Sequence, residues 1–307
     1  MRIELEGVSL RIGHRTALHD INLVWTGPGL FLITGSPGAG KSLLLRLTGG
    51  LTSFNGNLSR EYQGCGYLPQ LFNFYPNLTP IEFFDYLLLL EGVAERRQRA
   101  RTIQALVARA DLDRQAHQRM GSLPLSARQR IAIVQSLIGN PECLIWDTPE
   151  NNLRNAGQEW LMTMIDRELS KRLLIVATDN VELYEQRALR IAVLHDGNLL
   201  FEGSRDQLLA STDGQVWEGK IPFKHWQKFR LENIVTQADI VDGGIMVRIL
   251  GPSNPDYCDF VPARGTANDA VELMIQSASL HKTGTEGADL NNLRRLNKPA
   301  RGKGTWS

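Results

Sequence analysis

Only three cysteines occur among the 307 residues, Cys65, Cys143 and Cys258. They share no metal-ligand spacing and cannot all pair with one another, which excludes a disulfide framework and fits a reduced, cytosolic compartment. The histidines (His14, His19, His117, His195, His225, His281) are scattered without ligand spacing, so no zinc site is expected. An excess of one charge is also missing. Thirty-four basic residues against 33 acidic ones leave a net charge of +1, and no nucleic-acid partner is expected from that balance. Long hydrophobic runs are absent too: stretches such as Tyr86–Leu90 and Leu173–Ala177 fall far short of the ~20 residues a membrane helix needs. The opening MRIELEGVSLRI is strand-like, so no signal peptide is expected, and any membrane role is expected to come through a partner. No internal repeat stands out.

What the chain does have is an octapeptide, Gly35-Ser36-Pro37-Gly38-Ala39-Gly40-Lys41-Ser42, with the spacing of a phosphate-binding loop. Apolar Leu30–Ile33 read as a buried strand running into it, and KSLLLRLTG as a helix running out. Glycine at 38 and 40 permits a tight turn in which backbone amides converge on phosphate oxygens. The helix N-terminus then faces the anion. In this arrangement Lys41 reaches the β- and γ-phosphates and the Ser42 hydroxyl ligates Mg²⁺. The expected cofactors are ATP and Mg²⁺.

Strands and helices alternate as in an α/β domain. IELEGVSL, ALHDINLVW and GCGYLP read as short strands, and CLIWD (143–147) and LLIVAT (173–178) as buried parallel strands. From Thr79 to about Leu123 the pattern is helical, opening on a capping box between Thr79 and Glu82. Arg96, Arg97 and Arg101 read as a solvated helix face. Asp196-Gly197 between two apolar segments signals a hairpin. After Gly214 come a basic stretch with aromatics, a strand (IMVRIL) and a helix near 267–279. From His281 the chain is rich in Gly, Asn and Arg and reads as a disordered basic tail. The expected organisation is a nucleotide-binding domain over 1–212, a small accessory domain over 213–280 and the tail over 281–307. CLIWD also delivers a carboxylate, Asp147, to the end of a strand, the position that supports Mg²⁺ in P-loop NTPases.

Together, GSPGAGKS, YLPQ (67–70), RQRIAIVQSLIGNPECLIWD (128–147) and VLHDGNLLFEGS (193–204) resemble the ATP-binding subunit of an ABC transporter, over roughly residues 2–210. The resemblance implies a P-loop fold with a mixed-sheet core, a helical subdomain at about 72–140 and a small C-terminal α+β domain. It places Gln70 where the family has a glutamine that senses Mg²⁺ and the attacking water. It likens FYPNLTPIEFFDYLLLLEGV to the segment that docks on membrane-subunit helices, although most of Phe83, Phe84, Leu87 and Leu88 read as core. The most similar branch serves exporters whose membrane subunits are separate chains; GQVWEGKIP and TANDAVELMIQ resemble the start and end of the small domain found there. The implied partners are transmembrane permease subunits and a second ATPase, as homodimer or heterodimer, with the chain peripheral at the cytoplasmic face of the membrane.

The same resemblance exposes five departures. Thr148 stands where the family has the glutamate that polarises water, and a hydroxyl cannot take that proton. Asp179 stands at the switch histidine, where an acid repels the γ-phosphate. The signature LSGGQ is degraded: without gaps its positions hold Leu123-Pro124-Leu125-Ser126-Ala127, and with a two-residue deletion only Leu125-Ser126 survive. Arg154 replaces an aspartate. Ile12 replaces an aromatic that stacks on adenine, and can pack against the base without a π-face. The favoured expectation is a subunit that binds Mg-ATP and hydrolyses it poorly. The alternatives are a working ATPase using a substitute such as Glu150, itself expected as a solvated loop residue, or a regulatory scaffold that does not transport.

Overall fold

The computed structural model describes residues 1–252, 254 and 260–282, in two compact units, Met1–Arg205 and a second that begins at Asp206. In the first unit, β1 (Arg2–Ile12) and β2 (Arg15–Thr26) pair antiparallel. Their alternating apolar residues (Ile3, Leu5, Val8, Leu10; Leu18, Ile21, Leu23, Trp25) are all buried, as one-sided strands require. β3 (Gly29–Gly35) leads into α1 (Lys41–Thr48), followed by β4 (Asn55–Glu61) and β5 (Cys65–Leu68). β4, of sequence NGNLSRE, has little strand propensity of its own. It is extended because it pairs along β1, with Leu58 opposite Leu5, and it completes the sheet β2-β1-β4.

The helical region consists of α2 (Pro80–Leu90), α3 (Arg96–Arg109) and α4 (Leu125–Gln135). The capping box is present: the Glu82 amide donates to Thr79 Oγ1 at 3.2 Å, and the Thr79 amide to the Glu82 carboxylate at 2.8 Å. The single helical pattern expected from Thr79 to Leu123 is corrected. Gly92 (φ 80°) and Asp111 (φ 55°) adopt left-handed backbone, which no α-helix accommodates, and beyond Asp111 a single 3₁₀ turn, Met120–Ser122, precedes α4. Phe83, Phe84 and Leu88 are buried, and Leu87 is half-buried. Arg96, Arg97 and Arg101 are exposed, whereas the intervening Arg99 folds back onto Asp85 at 2.7 Å.

β6 (Cys143–Asp147), α5 (Ala156–Glu168), β7 (Leu173–Ala177), β8 (Ala188–His195) and β9 (Asn198–Gly203) complete the unit. The main sheet runs β5-β6-β7-β3-β8-β9, parallel except for β9. Every residue of β6 and β7 is buried, the signature of strands covered on both faces. Asp196 (φ 45°) and Gly197 (φ 77°) make the tight β8–β9 turn.

After α6 (Arg205–Ala210), β10 (Val216–Ile221), α7 (Trp226–Glu232), β11 (Ile234–Val241), β12 (Gly244–Leu250), β13 (Val261–Pro262) and α8 (Ala267–Lys282) follow. The strands form an antiparallel sheet ordered β11-β12-β10-β13. Its core includes Ile221, Val247, Ile249 and the stacked pair Phe229–Phe260, 5.7 Å apart. Arg248 joins Glu218, Asp269 and the Arg264 carbonyl. Of the tail expected to be disordered, residues 281–282 end α8 and 283–307 lie outside the described residues.

Phe84, fully buried on α2, tests whether the helical region has a packed core. Phe84→Ala is expected to cost about 3–5 kcal/mol in urea denaturation; a loss under about 1 kcal/mol would show a site able to collapse.

Candidate functional site

Parallel register decides where the site lies. Cys143 pairs with Leu173 and Leu173 with Gly29; four residues on, Asp147 pairs with Ala177 and Ala177 with Ile33. The carboxyl ends of β5, β6, β7 and β3 therefore open on one edge of the sheet. The octapeptide leaves that edge from β3, Asp147 ends β6, Thr178 and Asp179 follow β7, and Gln70 lies exposed two residues beyond β5.

The loop is held by contacts that need its glycines. A Cβ on Gly35 (φ 136°) would collide with the Leu194 carbonyl oxygen, and one on Gly40 (φ 99°) would lie 2.7 Å from Leu18 Cδ2. Pro37 and Gly38 form the exposed tip, and Ala39 is buried. The Gly197 amide donates to the Ala39 carbonyl at 3.1 Å, and the Gly197 carbonyl accepts from the His19 amide at 2.8 Å, so the β8–β9 turn clasps both the loop and β2. His195, discounted in the sequence because it lacks ligand spacing, has Nδ1 2.9 Å from Ser36 Oγ. Ile12 ends β1 and is exposed; β2, its partner strand, brings Leu18 and the Ala17 carbonyl against Gly40.

Lys41 Nζ donates to the Gly35 and Ser36 carbonyls at 2.8 and 3.0 Å and pairs with Asp179 Oδ1 at 2.9 Å. The Ser42 hydroxyl bonds to Asp147. Burial pushes the Asp147 carboxyl above its ordinary pKa and Asp179 adds to the rise, against the Ser42 bond and the Lys41 charge. A hydroxyl beside a buried carboxylate, next to the phosphate loop, is an oxygen donor pair suited to a magnesium ion brought in with a nucleotide. Among the described residues no group of three or more His, Cys, Asp or Glu side chains could hold a metal unaided.

Thr148 is buried at φ 49°, its amide donating to the Ala177 carbonyl and its hydroxyl accepting from Asn151 Nδ2, each at 2.8 Å. The reading of Glu150 as a solvated loop residue is corrected. Its carboxylate accepts from Thr178 Oγ1 at 2.5 Å and from the Tyr184 hydroxyl at 2.6 Å, and Tyr184 is fully buried. Burial is the main cause that raises the Glu150 pKa, with a contribution from Asp179. Glu150 thus ties together both ends of the segment that carries Asp179. The Pro149 carbonyl accepts from buried Gln129 of α4 at 3.1 Å. At the start of α4, Leu123 and Pro124 precede the helix and Leu125, Ser126 and Ala127 form its first turn, without a side-chain cap. Arg128 turns back to the Met120 and Gly121 carbonyls and lies over Phe74. Arg154 is exposed in the loop before α5.

A strand, a glycine-bearing loop with lysine and serine, a helix and a neighbouring strand ending in aspartate define a P-loop nucleotide-binding protein. Comparison with known proteins narrows this class. A match to the family described as ABC transporter covers residues 18–151. The lipoprotein-releasing system ATP-binding protein LolD of Legionella pneumophila (strain Paris) is 30% identical over 202 residues, 59% of this chain and 88% of that one. The glutamine transport ATP-binding protein GlnQ of Escherichia coli K12 is 25% identical over 229 residues, 69% of this chain and 95% of GlnQ. In structure, a dimeric ATP-binding cassette in a post-hydrolysis state with ADP and Pi superposes with a TM-score of 0.61 at 24% identity, covering 66% of this chain and 98% of that one. The chain belongs to the ABC transporter family, as an ATP-binding subunit with the α/β fold of that ATPase. Among the described residues no helix is long and apolar enough to cross a membrane.

Because the folded-state pKa of Glu150 is raised, the folded chain binds a proton that the unfolded chain has released, from about pH 4.3 up to the raised value. Stability falls as pH rises through that window. Glu150→Gln carries no such charge, so its stability relative to the native chain is expected to rise between about pH 4 and pH 8; the shift of Asp147 is common to both and cancels. Urea midpoints at the two pH values check this, and a pH-independent difference would contradict it.

Proposed function

We propose that this chain is an ATP-binding subunit of an ABC-type transporter assembly that holds Mg-ATP but hydrolyses it slowly or not at all. The carrying observation is the side-chain chemistry at the carboxyl edge of the sheet. The phosphate-side groups are in place: the loop from Gly35, Lys41, Ser42 and Asp147. Beside Asp147 the next residue offers only a hydroxyl, which already accepts from Asn151. Asp179, where the family has histidine, is a negative charge on Lys41. This partition retains binding and removes the base, and it agrees with the loss of both glycines at the start of α4.

Glu150 does not repair the site on this reading. Both its carboxylate oxygens are engaged by hydroxyl donors, and its raised pKa reflects burial, which disfavours the ionised form a base requires. Ser42 and Asp147, with Gln70 from the segment after β5, would hold the magnesium, whose charge offsets that of the phosphates.

In the assembly we infer, transmembrane permease subunits are separate chains, the protein sits at the cytoplasmic face of the membrane, and a second ATPase completes each nucleotide site. The name of LolD, a lipoprotein-releasing system, suits an export branch. The exposed side chains Leu71, Tyr75, Tyr86, Leu89 and Leu90 around α2 supply apolar surface for a membrane subunit.

ATP at a hundredfold excess over Kd is expected to stabilise the chain by about 2.7 kcal/mol, seen as a raised melting temperature that Lys41→Ala abolishes. Steady-state hydrolysis by the purified chain should match the Lys41→Ala blank, and Thr148→Glu should raise it. Native turnover well above the blank, about a hundredfold or more, would overturn the proposal.

A further inference from the structure

Lys41 has three ammonium protons and three protein acceptors: the Gly35 carbonyl at 2.8 Å, the Ser36 carbonyl at 3.0 Å and Asp179 Oδ1 at 2.9 Å. Two of these acceptors belong to the backbone of the loop itself. The third is exchangeable. Lys41 is only 10% exposed at its side chain, whereas Asp179 is 65% exposed and stands on the segment after β7. Asp147 and Glu150 add two more carboxyl groups near enough for Asp179 to act on both. The lysine is thus already matched to an internal anion in a neighbourhood rich in acid.

We propose that Asp179 makes this site sensitive to the number of phosphates, so that it takes a nucleoside diphosphate in preference to a triphosphate. The inference rests on the octapeptide being the nucleotide site. In such a loop the backbone amides hold the α- and β-phosphates, while the lysine reaches towards the β/γ end. A β-phosphate oxygen can take the place of one loop carbonyl at Nζ, so a diphosphate can be cradled with the Lys41–Asp179 pair kept. A terminal γ-phosphate must take the place of Asp179 at Nζ, and it meets a carboxylate of like charge there. Because Asp179 is mostly exposed and can swing towards water, screening limits the penalty, and about a tenfold effect on affinity is the scale to expect.

The test is calorimetric titration of the full chain, at fixed Mg²⁺ and salt, with ADP and with the non-hydrolysable β,γ-imido analogue of ATP. The native chain should bind ADP the more tightly. Asp179→Asn should tighten the analogue about tenfold and ADP by less than about twofold, and Asp179→Ala should do the same, which assigns the effect to charge. Equal shifts for the two nucleotides, or no tightening of the analogue in either variant, would overturn the proposal. Failure of the native chain to bind either nucleotide would overturn the assignment of the site itself, and the proposal with it.

Discussion

Backbone hydrogen bonding among β6, β7 and β3 sets the height at which Asp147, Thr178 and Gly35 leave the sheet. The register holds because the three strands are buried on both faces. A slip by one residue would break the pairing that fully buried peptide groups need in order to keep their hydrogen bonds. The loop inherits its position from this pairing, and so do the hydrogen-bonded pair Ser42–Asp147 and the segment bearing Asp179. Gly35 adds a steric lock, since its close approach to the Leu194 carbonyl leaves no room for any other residue.

On that scaffold the charges at the carboxyl edge are unevenly matched. One ammonium, Lys41, pairs with Asp179 and acts on Asp147, and Asp179 in turn acts on Glu150. Burial moves Asp147 and Glu150 towards their neutral forms, and the exposed Asp179 pairs with Lys41. Each carboxyl group meets a local demand: Asp147 takes the Ser42 hydroxyl, Glu150 fastens Thr178 and Tyr184, and Asp179 neutralises the lysine. None is left beside Asp147 as a free ionised base.

Much of this was legible in the sequence where the signal is local. The glycine spacing of 35–42, the apolar runs 143–147 and 173–177, the Thr79–Glu82 box and the Asp196-Gly197 turn each depend on a few adjacent residues. β4 was not legible, because a polar heptapeptide becomes a strand only through its pairing with β1. Nor were the ties across the site. Ser36 and His195 are 159 residues apart in sequence, and Glu150 and Tyr184 are 34 apart. Glu150 read as solvated because a polar loop residue gives no hint of two buried hydroxyl donors. The helical stretch was over-extended because its apolar spacing continues through Gly92 and Asp111, where the left-handed backbone is decided by the turn.

The backbone at Thr148 carries a further meaning. A β-branched residue at φ 49° costs roughly 1–3 kcal/mol, against which its side chain sets one hydrogen bond, accepted from Asn151. Its conformation is imposed from outside, by the Ala177 carbonyl that receives its amide and by the chain geometry at the end of β6. The seat next to Asp147 is therefore a property of the scaffold and not of its occupant. The side chain at this position can change while the backbone that presents it stays as it is, because that backbone is held by its neighbours.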